Sequence, residues 1–439
     1  VEMTARTQHS VERHFPRFSA RRARELAAIA ATTAIVAGCS SDGGSHDETP
    51  SPTPLPVSSV LRDQRDVAIS GISRALDAAF VDGDNAFDKG MRDGDGLGPL
   101  YTRISCSACH DTGMRGPGLV QKMSVVEADG VTPSADQSLL PWGHTVHPLV
   151  AAGEKDAILP PMDKSVLVTT RVGPPIIGRG YMEAIDDAEI ERVESEQASR
   201  SDSIHGHINH VVYASEMSAD ETFHTHVKGD TVIGRFGLKA RVGTLDDFVA
   251  DAFQGDMGIT SPLRPSEIPN PDGLLDDDKP GLDVELESIQ QRAIYLRLLA
   301  IPDRNAVKGG SELFEQTLCS ICHVPSMHTR ADYPIPALAD IDAPVYSDLL
   351  IHHLGPGLAD GLPADPSVDY EASSFEWRTT PLVGVRLNRT YLHDSRATTV
   401  EDAITAHGGD GSEANDSVER FNALSDADRK TLLDFVEGL

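Results

Sequence analysis

The sequence is poor in cysteine, tryptophan and basic residues. Only 5 of its 439 residues are cysteine and 2 are tryptophan, and 38 Lys and Arg face 68 Asp and Glu, for a formal net charge of −30. Because nucleic-acid binding depends on Lys and Arg at the phosphates, this charge argues against nucleic acid as a partner. After residue 38, no apolar run is long enough to span a bilayer.

The few cysteines follow a pattern. Four of the five form two CxxCH pentapeptides, at residues 106–110 and 319–323. CxxCH is the attachment motif of c-type haem, since two thiols on one helical turn reach the two vinyl groups of a porphyrin and the next His is placed under the iron. We therefore predict two covalently bound haem c groups. The thioether cysteines and proximal iron ligands are Cys106, Cys109 and His110 for the first haem, and Cys319, Cys322 and His323 for the second.

Two other uses of CxxC pairs fit less well. A zinc site would need the two pairs to lie much closer together in the sequence. A thioredoxin-like motif would need a βαβ pattern, which the sequence does not show. The haem interpretation is therefore preferred.

The fifth cysteine, Cys39, follows a segment typical of secretion. Five Arg between residues 13 and 24 precede a short apolar run at residues 26–36, and Val-Ala-Gly leads into the cysteine. This pattern indicates a signal peptide, and its ending resembles a bacterial lipobox, in which the Cys becomes lipidated. An ordinary signal peptide with a chance Cys is the alternative.

From this pattern we expect a lipoprotein signal peptide over residues 1–38 and a flexible, Ser- and Pro-rich tether over residues 39–58. The protein would then be exported to the periplasmic side and anchored to a bacterial membrane through its N-terminal lipid alone.

Local patterns divide the rest of the chain. Apolar spacing predicts a helix over residues 60–80, followed by an Asp-rich loop over residues 82–98, where a solvated turn is favoured over a calcium site. A Gly- and Pro-rich section over residues 111–290 predicts irregular structure with a few strands. Helical patterns follow it, and the chain ends in a helix capped by Ser425 and Asp428.

The expected fold is mainly α, with two cytochrome c-like haem lobes and a long irregular, partly β middle section. We place the N-terminal haem lobe with its insertion at residues 59–290. The C-terminal cytochrome c domain is expected at residues 291–439.

An ordered series of motifs along residues 60–439 is similar to the bacterial di-haem oxidoreductase family, whose members are described as thiol oxidoreductases or peroxidases. More distantly, the C-terminal part resembles di-haem cytochrome c peroxidases and MauG-type enzymes. The matching segments lie at residues 95–101, 105–110, 178–185, 234–239, 255–260, 348–352, 376–382, 391–396 and 403–408. The resemblance implies that electrons pass between two haems, one of which relays them while the other meets hydrogen peroxide.

The resemblance also bears on the second ligand of each iron. His407 stands where related peroxidases carry a Met or Tyr ligand to the C-terminal haem, and it is the first candidate there. His352 matches a family His and is a candidate ligand or a group beside the ligand, with a buried structural His as the alternative. His144 and His147 are candidate ligands at the N-terminal haem.

Further candidates concern the surroundings of the haems. The resemblance makes Glu183 a candidate distal acid for peroxide chemistry, with a helix N-terminal carboxylate as the alternative. Arg235, Lys239 and Arg378 are candidate partners of haem propionates, because buried carboxylates need cations. Residues 388–390 replace the Thr-x-Pro that helps to form the calcium site of the peroxidases, which argues against calcium at this position.

The expected function is that of an exported di-haem c-type oxidoreductase of peroxidase type, with a reactive N-terminal haem and a C-terminal haem that relays electrons. Its expected partners are a redox protein and hydrogen peroxide. One alternative is an electron-transfer cytochrome with both irons six-coordinate. Another is a MauG-like enzyme that oxidises a partner protein. Thiol chemistry on this chain is disfavoured, since the haems and the lipid use every cysteine.

Overall fold

Helices make up most of the regular structure in the computed structural model, which describes residues 66–110, 116, 118–151, 153–274, 279–364 and 372–439. The predicted signal peptide, Cys39 and the tether lie outside these residues and stay predictions. Among the described residues, no helix is long and apolar enough to cross a membrane. The expectation of a mainly α fold is confirmed, and the two haem lobes stay a prediction.

The described residues contain ten α-helices. They are α1 (Arg74–Asp88), α2 (Arg179–Ala184), α3 (Asp187–Ala198), α4 (Leu245–Met257), α5 (Leu286–Leu298), α6 (Gly310–Gln316), α7 (Cys319–Cys322), α8 (Val400–Ala406), α9 (Asn415–Ala423) and α10 (Asp426–Gly438).

The strands of the described residues are short and pair two by two, always antiparallel. The pairs are β1 (Leu100–Tyr101) with β3 (Leu149–Val150), β2 (Leu119–Val125) with β4 (Val166–Val172), β5 (His210–Val212) with β6 (Thr231–Ile233), β7 (Met327–His328) with β8 (Asp342–Ala343), and β9 (Ile351–His353) with β10 (Glu376–Arg378).

Helix α1 differs from its prediction. It begins at Arg74 and continues through Asp88, so residues 82–88 of the predicted acidic loop are helical. A Cβ at Gly83 would lie 2.4 Å from the carbonyl oxygen of Gln291 and 2.7 Å from Cβ of Tyr295. The prediction was wrong because Gly83 allows α1 to cross α5 closely, whereas sequence rules treat Gly as a helix breaker.

The middle section is more regular than predicted. The expected strands are present, with β2 and β4 paired over seven residues in register. Three helices, α2, α3 and α4, were not predicted. Half of the residues of helix α3 are charged and it buries only three side chains, which leaves little apolar periodicity to detect.

The main hydrophobic core draws on both sides of residue 290. It joins Phe87 and Met182 to Leu296 and Leu338. A smaller cluster surrounds α6 and α10, where the predicted cap of the last helix is confirmed by a hydrogen bond of 3.1 Å from the Asp428 amide to Ser425 Oγ. The domain boundary at residue 290 stays a prediction.

Candidate haem sites

Each CxxCH segment forms a tight turn. The second segment is α7 itself, and Leu318 before it takes a left-handed conformation with φ 63°. In the first segment, the amides of Cys109 and His110 both donate to the carbonyl of Cys106 at 3.0 Å. All four thiols are free and half-buried. This arrangement fits attachment of one porphyrin at each turn.

The histidine of each motif is held in one orientation. Nδ1 of His110 donates to the Pro174 carbonyl at 2.7 Å, and Nδ1 of His323 donates to the Tyr346 carbonyl at 3.1 Å. Since a carbonyl only accepts, Nε2 of each ring is left unprotonated and offers its lone pair. Burial lowers the pKa of both rings to about 4, which keeps them neutral and ready to bind a metal.

A cavity of about 220 Å³ lies beside the second motif. The walls carry Cys319, Cys322 and His323, and they are mostly apolar. Apolar wall residues include Phe314, Leu318, Leu354, Leu358, Val385, Val400, Ile404 and Val418. Free thiols, a neutral histidine and apolar walls are what a covalent haem requires, so the residues present fit this group.

His407 faces the same cavity as His323. It ends helix α8, and its Nδ1 donates to the Ala403 carbonyl at 2.7 Å, which again leaves Nε2 free. Burial lowers its pKa. His323 and His407 are therefore both in the tautomer that an iron ligand needs, and His407 stays the predicted second ligand.

Two buried arginines lie near this cavity. Arg378 lines its wall and donates to the carbonyls of Gly237 and Thr379 at 3.0 and 2.7 Å. Arg179 donates from Nε to the carbonyl of Pro175 at 2.9 Å, and Pro175 lines the same wall. Burial lowers the pKa of Arg179 to about 9 and that of Arg378 to about 10.

Neither of these arginines forms an ion pair with a carboxylate in the described part of the chain. A buried charge without an ion-pair partner is costly. An anion bound beside these two arginines would therefore stabilise them, and haem propionates would supply it. The sequence analysis named Arg378 but missed Arg179, although Arg179 lies inside one of the family motifs. Nothing in the sequence indicates that the charged side chain of Arg179 is buried.

The other two propionate candidates have partners elsewhere. Arg235 pairs with Asp187 and donates to the carbonyl of Ile185 at 2.7 Å. Nζ of Lys239 donates to the Ser373 carbonyl at 2.5 Å and lies 4.3 Å from the centre of the Trp377 ring. Neither residue lines the cavity beside the second motif.

His352 has both ring nitrogens engaged by carboxylates. Nε2 lies 2.9 Å from Asp348 Oδ2, and Nδ1 lies 2.8 Å from Glu413 Oε2. Burial opposes a charge on this ring, but Cys322, Asp348 and their hydrogen bonds outweigh it and hold its pKa well above the usual value. With both nitrogens occupied, the ring has none for iron in this arrangement, which favours the alternative of a group beside the ligand.

Trp377 and His393 stack face to face in the cavity wall. Their ring centres are 3.9 Å apart, and the Trp377 indole donates to the Leu358 carbonyl at 2.9 Å. The His393 carbonyl accepts from the Val172 amide at 2.9 Å, which ties this wall to strand β4. The stack therefore connects the cavity with the segment that leads to Pro174.

The two ligand candidates for the first haem, His144 and His147, contact strand β2 and helix α4. Nδ1 of His144 donates to the Met123 carbonyl at 3.0 Å, and Nε2 of His147 donates to the Gly255 carbonyl at 2.8 Å. Nδ1 of His147 is buried without a hydrogen-bond partner among the described residues. A buried nitrogen with an unused lone pair is suited to bind a metal. Both ligand candidates stay predictions.

Buried charge also surrounds the first motif. Arg292 is buried near Cys106, and its Nε has no partner among the described residues. Burial raises the pKa of Asp256, near Cys109, and lowers the pKa of Lys122 to about 8. Arg292 fits an anionic partner such as a propionate, whereas the raised pKa of Asp256 and the lowered pKa of Lys122 make these two groups candidates for proton transfer. The sequence analysis missed all three.

Glu183 accepts four hydrogen bonds. They come from Nε and Nη2 of Arg297 at 2.6 and 3.0 Å, from the Tyr333 hydroxyl at 2.8 Å and from the Leu245 amide at 2.8 Å. Burial acts to raise its pKa, but the Arg297 guanidinium outweighs this effect and lowers the pKa below its usual value, so the carboxyl is ionised. Glu183 also borders a polar cavity of about 330 Å³ with His224. Its predicted role as an acid would require it to take up a proton first.

Comparison with known proteins gives one family match. A family model described as "Di-haem oxidoreductase, putative peroxidase" matches residues 155–439, which is more than half of the chain. No curated protein matches the chain.

Two solved structures are similar to the chain. The hydrazine synthase of Kuenenia stuttgartiensis, in a xenon-pressurised crystal, shares 14% identity with a TM-score of 0.36, covering 94% of this chain and 100% of that one. The diheme peroxidase BthA of Burkholderia thailandensis shares 12% identity with a TM-score of 0.35, covering 82% of this chain and 86% of that one.

Proposed function

The chain belongs to the di-haem oxidoreductase family, as its motifs predicted, and on this premise we propose that it is a peroxidase-like enzyme with two covalent haem c groups. The C-terminal site would relay electrons, and the N-terminal site would react with hydrogen peroxide. When bound, each haem supplies an iron that exchanges one electron, and an iron with an open position can also bind peroxide.

The difference between the two sites carries the proposal. In the C-terminal cavity, His323 and His407 each offer Nε2 between apolar walls, which supports a six-coordinate site for electron transfer. Around the first motif, Asp256 holds its proton to a higher pH than usual, and Lys122 releases one at a lower pH than usual. These two side chains support proton transfer at the N-terminal site, because cleavage of peroxide needs a proton donor.

Low-temperature electron paramagnetic resonance of the oxidised protein tests the proposal. We expect one low-spin and one high-spin ferric signal, of which only the high-spin signal changes when peroxide is added. Two low-spin signals that ignore peroxide in every redox state would overturn the enzyme and favour an electron-transfer cytochrome.

A variant tests the proton-transfer group separately. Asp256→Asn should slow the reaction with peroxide by about 100-fold or more, as expected for loss of a general acid or base. The low-spin signal of the C-terminal site should stay unchanged. A normal peroxide rate in this variant would remove Asp256 from the proposed chemistry.

Export and attachment to a membrane complete the proposal. Cys39 would carry lipid after cleavage of the signal peptide, and the net charge of −30 would favour a redox partner with a basic face. Cys39→Ala should move the haem-loaded protein from the membrane fraction to the soluble fraction. A variant that stays with the membrane would contradict lipid anchoring.

A further inference from the structure

His352 lies between the CxxCH turn at residues 319–323 and the loop that follows His407. It lies on strand β9, is only 3% exposed, and pairs with Asp348 on one side and Glu413 on the other. Its Nδ1 is also 3.8 Å from Cys322 Sγ, but Glu413 at 2.8 Å is the better acceptor for that proton. One ring therefore links two carboxylates that belong to different segments of the chain.

Asp348 connects His352 to the CxxCH turn. The Asp348 amide donates to the Cys322 carbonyl at 2.8 Å. Nε2 of Gln197 lies 2.8 Å from Asp348 Oδ2 and 3.0 Å from the Ile321 carbonyl, so it joins the same carboxylate to the same turn. This side of His352 is thus fixed to the residues that attach the haem and carry its proximal ligand.

Glu413 connects His352 to the loop after His407. Besides the His352 ring, its carboxylate accepts from the amides of His353 and His205 at 3.0 and 3.1 Å. The hydroxyl of Ser412, one residue earlier, donates to the His407 carbonyl at 2.5 Å. Ser412 and Glu413 therefore join the end of helix α8 to His352 and strand β9.

We propose that His352 is a positioning residue that keeps His407 on the C-terminal haem iron, by fastening the loop at residues 408–413 to the CxxCH turn. This inference rests on the proposed function, in which His407 is the second iron ligand. Without the His352 ring, the buried carboxylate of Asp348 and the half-buried carboxylate of Glu413 lose the hydrogen-bond donor that they share. The loop then separates from the turn, and His407 moves away from the iron.

The test uses the haem-loaded protein and four variants. His352→Ala and Glu413→Ala remove the link, and Glu413→Gln removes only its charge. Gly206→Ala displaces the ring without changing a charge, because a Cβ at Gly206 would lie 2.4 Å from Nε2 and Cε1 of His352. The matched control is His353→Asn, since the His353 ring touches the same loop through the Gly411 carbonyl at 3.0 Å but pairs with no carboxylate of the described residues.

Ferric absorption and electron paramagnetic resonance spectra give the readout. We expect the high-spin fraction of the C-terminal haem to rise at least about tenfold in the two alanine variants, with smaller rises in Glu413→Gln and Gly206→Ala. Added imidazole should restore the low-spin spectrum, because it replaces a ligand that has moved and does not repair an unfolded protein. The control should keep the spectrum of the parent protein.

The inference and the proposed function fail in different ways. If His407→Ala leaves the low-spin signal unchanged, the ligand assignment on which the inference rests is wrong. If His407→Ala produces a high-spin signal but all four variants of the link stay low-spin, the positioning role of His352 is wrong. An equal high-spin rise in His353→Asn would also overturn it, since any contact with the loop would then suffice.

Discussion

Nδ1 of His110 donates to the carbonyl of Pro174 at 2.7 Å, and Pro175, the next residue, lines the cavity that contains His323. A single peptide unit therefore contacts the surroundings of both proposed irons. Arg179 donates to the Pro175 carbonyl, which places a buried cation at this shared wall. We expect charges at this wall to affect the redox properties of the haems.

The first prediction concerns the potential of the C-terminal haem. Arg378→Met removes a buried positive charge from the cavity wall. A nearby cation favours the reduced iron, so we expect the midpoint potential to fall by on the order of 50 mV, or roughly 1 kcal/mol for one electron at an effective dielectric constant near 20. Spectroelectrochemical titration measures the shift.

Arg378→Lys is the matched control, because it keeps the charge and changes the geometry. Its potential should stay much nearer to that of the parent protein. An unchanged midpoint potential in Arg378→Met would show that the charge of this guanidinium does not affect the haem iron.

The second prediction separates stability from chemistry at Glu183. Glu183→Gln leaves the Arg297 guanidinium buried without its main partner, so we expect a loss of about 3 kcal/mol in the free energy of unfolding. Chemical denaturation of the haem-loaded protein measures this loss.

Asp187→Asn is the control for Glu183→Gln. Asp187 also pairs with an arginine, Arg235, but its side chain is 63% exposed, so the loss should be small. If Glu183→Gln keeps full stability and loses peroxide activity, Glu183 acts mainly in catalysis and not in the fold.

The third prediction is a dependence of stability on pH through His393. Burial lowers the pKa of this ring to about 4, below its usual value near 6.5. Between these values the unfolded chain binds the extra proton, so stability decreases as pH falls from 6.5 towards 4, by about 1.4 kcal/mol per pH unit for this group. Above pH 6.5 this contribution is fully present and constant.

His393→Phe keeps a flat ring beside Trp377 and removes the titrating group. The slope of stability between pH 6.5 and 4 should become shallower, as measured by urea unfolding at several pH values. In the control His328→Phe the slope below pH 6.5 should be retained, because Asp342 raises the pKa of His328 and any effect falls at higher pH. Equal slopes in His393→Phe and the parent protein would contradict the prediction.

The fourth prediction compares two helical glycines. Gly83→Ala inserts a Cβ 2.4 Å from the Gln291 carbonyl, so we expect a loss of about 2 kcal/mol despite the better helix propensity of Ala. Gly255→Ala in α4 places its Cβ more than 4 Å from other atoms of the described residues and should be neutral or stabilising by up to about 1 kcal/mol. Thermal unfolding distinguishes the two. A stable Gly83→Ala protein would mean that α1 and α5 separate without cost.

Local patterns carried much of the sequence analysis. CxxCH predicted two thiols on one turn followed by His, and apolar spacing with a cap predicted α10, because these features depend on neighbouring residues alone. The family was also predicted correctly from its motifs.

Features that depend on distant contacts were not found in the sequence. Gly83 lies in a helix that packs closely against Tyr295, and Arg179 is buried beside Pro175. The engagement of both His352 nitrogens likewise required Glu413, which is 61 residues away in the chain. Sequence spacing gives no information about such pairs.

The main core crosses residue 290, and this has a consequence for how the protein is made. Phe87 and Met182 share one interior with Leu296 and Leu338. A fragment that ends near residue 290 would leave half of that interior in water, and the remaining fragment would do the same. We expect neither half to fold when produced alone, so the two haem centres would mature as one indivisible product of a single chain.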